Sequence, residues 1–226
     1  MIVSSRVVFK IAIGVSVLAV FCVLLACTKS PNFVGTVMNP VRPAPDFDLL
    51  DQRGNPVSLS NIKSDIIVLT FLYSYCPDVC PSLISKLKYV ERQLDNNSDK
   101  VRFLIVSLDP ERDTPKRAQE YLDQWKLSSR WSFLLGSEDL LSKVWTSYYV
   151  DPTRIDWASK EITRGAPGLS DSGVEALYND IAERYEISHV APIYLIDSNK
   201  QMRVFFTSTV DKQSLVHDIL QLLDSS

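Results

Sequence analysis

Two cysteines four residues apart are the side chains best placed to do chemistry in this sequence, within Cys76-Pro77-Asp78-Val79-Cys80-Pro81. On a helix that spacing brings both thiols to one side of a single turn. A helix N-terminus favours thiolate, so the pair is expected to lie toward the form that ligates a metal or attacks a disulfide. A structural staple explains it poorly, because a bond closing so short a loop contributes only about 2 kcal/mol in the chain-entropy model, against about 4.7 for a 100-residue loop. Other metal-capable groups are scarce: the chain holds four Cys, at 22, 27, 76 and 80, and two His, at 189 and 217. His217 falls on an amphipathic helix, where a solvated position accounts for it. Asp78, between the cysteines, either raises thiol pKa while attracting a cation or is a solvent-exposed loop carboxylate. Asp109 and Asp113 precede a helix; Asp113 or Thr114 is expected to cap it, with Asp109 supporting the loop. Tyr73 and Tyr75 read as packing residues.

The elements that must position these groups are legible from periodicity. Asp65–Tyr73 (DIIVLTFLY) and Val101–Leu108 (VRFLIVSL) are nearly continuous apolar runs, suited to strands covered on both faces. Pro81–Leu94 carries Leu83, Leu87, Val90 and Leu94 at helical spacing, so the cysteines sit where a central strand meets a helix. That is the edge of an open α/β sheet where ligands bind. Phe47–Leu59 reads as a hairpin around Gly54, and Thr114–Trp125, Ser137–Tyr148 and Val174–Tyr185 read as helices. Trp131–Leu135 is a short strand, Pro192–Asp197 and Met202–Ser208 form a second hairpin, and a closing helix runs to Leu223. Asp151–Ser172 loses all periodicity and reads as a long loop or insertion bearing Arg154 and Trp157. The alternation predicts an α/β domain with a largely parallel sheet. Its 226 residues, 46% hydrophobic and 23% charged, exclude disorder as the main state. The net charge of −3 gives no basis for gripping nucleic acid.

The N-terminus reads as an export segment. Arg6 and Lys10 precede an uncharged run, Ile11–Thr28, that would make a helix of about 27 Å, just short of a bilayer's roughly 30 Å core. Leu24-Leu25-Ala26-Cys27 resembles a bacterial lipobox, in which Cys27 would be lipidated; an uncleaved transmembrane anchor is the alternative. Either places the rest of the chain outside the cytoplasm, membrane-anchored, as a bacterial lipoprotein facing the periplasm or cell exterior in the first case. The expected organisation is residues 1–27 as signal or anchor, 28–45 as a Pro-rich tether and 46–226 as the folded domain.

Beyond the cysteines, the sequence resembles the Sco/SenC family of thioredoxin-fold copper proteins that act in cytochrome c oxidase assembly. Cys76–Pro81 is similar to the family's CPDVCP, and Val106–Pro115 (VSLDPERDTP) to its V-S-x-D-P-x-x-D-T-P segment. His189, shortly before Tyr194-Leu195-Ile196-Asp197, falls where the family places its third ligand. The resemblance spans roughly Ala44–Leu223. It implies a thioredoxin-like fold, a central mixed sheet flanked by helices, with an N-terminal hairpin and an insertion before the ligand histidine. It also implies copper, Cu(I) or Cu(II), at Cys76, Cys80 and His189. Two thiolates and an imidazole form a soft, low-coordinate site favouring Cu(I), whereas structural zinc normally takes four protein ligands and catalytic zinc three plus water. Many members have Asp before the histidine; here Ser188 stands there.

Two functions follow from that resemblance. One is a metallochaperone, loaded by another copper chaperone, that passes copper to the binuclear copper A centre of oxidase subunit II. The other is a thiol-disulfide reductase in which Cys76 and Cys80, as a redox pair, keep the oxidase's copper-ligand cysteines reduced. A general thioredoxin or peroxiredoxin fits less well: C-x3-C is one residue longer than the usual spacing, and Tyr73 and Pro77 stand where a peroxidase would have Thr or Ser.

Overall fold

Ile66–Leu72 has no polar face, and each of its seven residues is buried. Such a strand must be covered on both sides, and the surrounding elements do so. The computed structural model describes residues 31–77, 79–156, 185–188 and 190–225. The chain divides into two units, Met1–Asn32 and Phe33–Ser226, and nearly all described residues belong to the second. In chain order its strands and helices are β1 (Thr36–Pro43), β2 (Asp48–Leu50), β3 (Pro56–Ser58), β4 (Ile66–Leu72), α1 (Val79–Gln93), β5 (Val101–Ser107), α2 (Pro115–Gln124), β6 (Trp131–Leu134), α3 (Glu138–Ser147), β7 (Thr153–Asp156), β8 (Tyr185–Ser188), β9 (Ile193–Asp197), β10 (Gln201–Phe206) and α4 (Lys212–Asp224).

The main sheet has the order β1-β10-β9-β4-β5-β6. β4, β5 and β6 run parallel, with Leu69 opposite Leu104 and Ile105 opposite Phe133. β9, β10 and β1 join through antiparallel pairs, so the sheet is mixed where a largely parallel one was expected from the alternation. The β9–β10 hairpin accounts for the difference: its short turn at Ser198–Lys200 reverses the chain where a crossover would keep it parallel. On one face Ile66, Val68 and Leu72 pack with Leu83, Leu87 and Val90 of α1, Tyr121 and Leu122 of α2, and Leu215 and Ile219 of α4. On the other, Ile67, Leu69 and Phe71 pack with Leu141, Val144 and Trp145 of α3 and with Phe47 and Leu49 of the β2–β3 hairpin.

Two parts of the chain differ from the sequence reading. Thr36–Pro43, within the stretch read as a tether, is the edge strand β1 paired to β10, and Ala44 and Phe47 are buried behind it. Its prolines are compatible with an edge, where missing N–H donors leave no ladder unsatisfied, and the register breaks between Val37 and Arg42, around Pro40. The start of the unit is fastened by the fully buried Asp218 of α4, whose carboxylate accepts the Val34 amide at 2.9 Å and the Gly35 amide at 2.8 Å. Gly35 permits this approach, since a Cβ there would lie 2.5 Å from Val204 Cγ1.

The second difference is in the stretch read as a loop and helix. Thr153–Asp156 pairs antiparallel with Tyr185–Ser188, Arg154 opposite Ile187, so Tyr185 begins a strand where a helix end was expected. Short charged strands paired across a long separation leave no apolar period to read. Trp157 and the remainder of the expected helix lie outside the described residues.

Candidate metal centre

The carboxyl end of β4 releases the chain into Tyr73–Pro77, and α1 begins at Val79, so the thiols straddle the strand-to-helix junction. Cys76 is half-buried and Cys80, on the first turn of α1, is fully buried; both are thiols. Burial pushes the Cys80 thiol pKa up, and its hydrogen bond with Cys76 and the charge of that neighbour push the same way. The helix-terminus effect anticipated from sequence is outweighed, because the dipole contributes at most about 2 kcal/mol and desolvation of a thiolate costs more. The two sulfurs are thus mutual neighbours in a site where both cannot ionise cheaply without a cation between them.

The loop is held by groups from β5 and α2. The Ser74 amide donates to the Asp113 carboxylate at 3.0 Å, and the Ser107 hydroxyl donates to its other oxygen at 2.6 Å. Asp113 therefore turns inward, while Thr114 caps α2 by accepting the Arg117 amide at 3.2 Å. Burial pushes the Asp113 pKa up to about 6 against those hydrogen bonds. Asp109, also buried, accepts from the Arg112 backbone and guanidinium and shapes the loop before α2. Arg117 donates from Nε to Ser74 Oγ at 3.2 Å and from Nη2 to the Ser74 carbonyl at 3.1 Å. Its guanidinium lies 4.6 Å from the Tyr75 ring centre, and that of Arg112 lies 5.2 Å from the same ring.

The distal part of the chain is tied to this loop at one point and to β4 at another. The Ile187 amide, at the penultimate position of β8, donates to the Tyr73 hydroxyl at 3.1 Å. The Thr70 hydroxyl of β4 donates to the Pro192 carbonyl at 2.8 Å, just before β9. Tyr73 is thus a bonding partner as well as the packing residue it was read to be. His189 and Asp78 lie outside the described residues, as does Cys27. Among the described residues no group of three or more His, Cys, Asp and Glu could hold a metal ion. His217 pairs through Nδ1 with Asp218 at 2.9 Å.

Sequence reasoning missed Ser74, Ser107, Arg112 and Arg117. No spacing signal marks them, because each acts through a tertiary contact; only the Thr114-to-Arg117 interval, a capping distance, was available.

A mixed sheet with a dithiol at the junction of a central strand and its following helix defines a thioredoxin-like protein with a candidate soft-metal or redox site. The SCO1/SenC family profile matches residues 38–165, a stretch that includes both cysteines and ends before His189, and the chain belongs to that family. A SCO2-like protein of Rickettsia conorii is 23% identical over 214 residues, covering 93% of each chain. Among solved structures, copper-bound ScoI of Bradyrhizobium japonicum is 26% identical with a TM-score of 0.61, covering 80% of this chain and 99% of its own. Copper-bound ScoI of Arabidopsis thaliana, 23% identical, has a TM-score of 0.64 over 82% of this chain and 100% of its own.

Proposed function

We propose that this protein is a membrane-tethered copper carrier for assembly of the binuclear copper A centre of cytochrome c oxidase, holding copper through Cys76, Cys80 and His189. The observation that carries the reading is the double attachment of the segment containing His189. Ile187 is bonded to Tyr73, three residues before Cys76, and Pro192 to Thr70 of the strand that delivers the thiols. The two anchors flank position 189 in the sequence, which supports His189 as the third donor. Two thiolates and an imidazole give Cu(I) a soft three-donor site of net charge −1, and zinc would want a fourth donor. Copper-bound relatives of the same fold support the choice of metal. Lipidation at Cys27 would hold the domain at the outer face of a membrane, where another copper chaperone loads it and subunit II receives the metal by ligand exchange.

The test is transfer: Cu(I)-loaded protein mixed anaerobically with the copper-free soluble domain of subunit II should pass on its metal. Retention of all copper by this protein, with a recipient that binds free Cu(I), would contradict the reading.

The unequal burial of the thiols favours a second reading, thiol-disulfide reduction. Cys76, the accessible sulfur, attacks a partner disulfide as thiolate and forms a mixed disulfide while one partner thiolate leaves. Cys80 then displaces the second partner thiolate, so the partner gains two electrons and the Cys76–Cys80 pair loses them. A Cys80→Ser variant should trap the mixed disulfide; failure to trap it while copper transfer persists would exclude this reading.

A further inference from the structure

Arg117 and Tyr121 stand four residues apart on α2 and share one face of the helix. That face is turned to the thiol loop, because Arg117 grips both the hydroxyl and the carbonyl of Ser74. One turn further on, Tyr121 enters the same core as Cys80, Ala118 and Phe133, its ring edge-on to Phe133 at 5.8 Å between centres. Tyr121 is only 5% exposed, and its buried hydroxyl has no hydrogen-bond partner among the described residues. A buried hydroxyl left unpaired costs stability that a phenylalanine would not. The neighbouring thiol site offers the oxygen a role that packing does not.

We propose that the Tyr121 hydroxyl is a positioning donor for the Cys80 sulfur, making its hydrogen bond once that sulfur is a metal-bound thiolate. A neutral thiol is a weak acceptor, and a buried thiolate is a strong one. When Cu(I) binds, each thiol gives its proton to solvent and its sulfur to the metal. Tyr121 retains its own proton and shares it with Cys80, stabilising that sulfur as a buried thiolate and fixing its direction. This role rests on the copper reading proposed above.

The experiment compares wild type, Tyr121→Phe and Leu122→Ala in the full chain, by anaerobic Cu(I) titration against a competing chelator and by thermal unfolding with and without Cu(I). Tyr121→Phe is expected to bind Cu(I) about tenfold more weakly and to move the Cu(II)–thiolate absorption to longer wavelength. Its unfolding temperature without metal stays equal to wild type or rises. Leu122→Ala unfolds at lower temperature and keeps the wild-type affinity. Tyr121→Phe within twofold of wild type in affinity overturns the assignment, as does an equal loss of affinity in Leu122→Ala. Wild-type protein that takes up no Cu(I) overturns the copper reading itself.

Discussion

The Ile187 amide donates a hydrogen bond to the Tyr73 hydroxyl across 3.1 Å, joining the strand that precedes His189 to the loop that carries Cys76. Residues more than a hundred positions apart in sequence are thereby held at one sheet edge. The contact explains why a tyrosine follows β4 at this point: its ring fills the core, and its oxygen supplies a buried acceptor for the Ile187 amide.

Asp113 gives the domain a pH-dependent term. Its pKa rises from 3.8 unfolded to about 6 folded, so the folded state binds the proton more tightly. The stabilisation from that proton is full below about 3.8 and is lost as pH rises through about 6, amounting to as much as about 3 kcal/mol. Asp113→Asn removes the titration. Denaturant unfolding of the two proteins from pH 3.5 to 7 should show the variant gaining stability relative to wild type as pH rises. Parallel profiles would contradict the assignment.

Arg117 should matter more to the thiol loop than to the fold. Arg117→Ala removes two hydrogen bonds to Ser74 and the stacking on Tyr75, at a cost of about 1 to 2 kcal/mol. Cys76, released from that brace, should be alkylated several-fold faster in the folded protein. Arg117→Lys should not restore the wild-type rate, because an ammonium cannot reproduce the planar fork. An unchanged alkylation rate in Arg117→Ala would show that Arg117 does not brace the loop.

The two cysteines should react unequally. Cys80 is fully buried and its thiol pKa is raised, whereas Cys76 is half-buried. Iodoacetamide at pH 8 should modify Cys76 at least roughly tenfold faster, with Cys80 labelled only as the protein opens. Mass spectrometry of peptides from a time course checks this, and equal rates would contradict the burial described here.

Much of this arrangement was legible in the sequence. The apolar runs announced β4 and β5 because strands covered on both faces need no polar alternation, and the C-x3-C pair announced the strand-to-helix junction. β1 was hidden by its prolines, which read as a tether, although an edge strand tolerates them. β7 and β8 were hidden because each is four residues long and their pairing is tertiary. Asp113 and Arg117 were hidden for a related reason. A sequence shows that a carboxylate precedes a helix, yet whether it caps that helix or turns inward to Ser74 depends on where β4 delivers the loop.

The central claim is tested most directly by anaerobic Cu(I) titration of the reduced full chain, wild type against His189→Ala, Cys76→Ser and Cys80→Ser. The account predicts one Cu(I) per wild-type chain, loss of tight binding in either serine variant, and affinity at least about tenfold weaker in His189→Ala with an altered Cu(II)–thiolate absorption. A His189→Ala protein with wild-type affinity and absorption would contradict it.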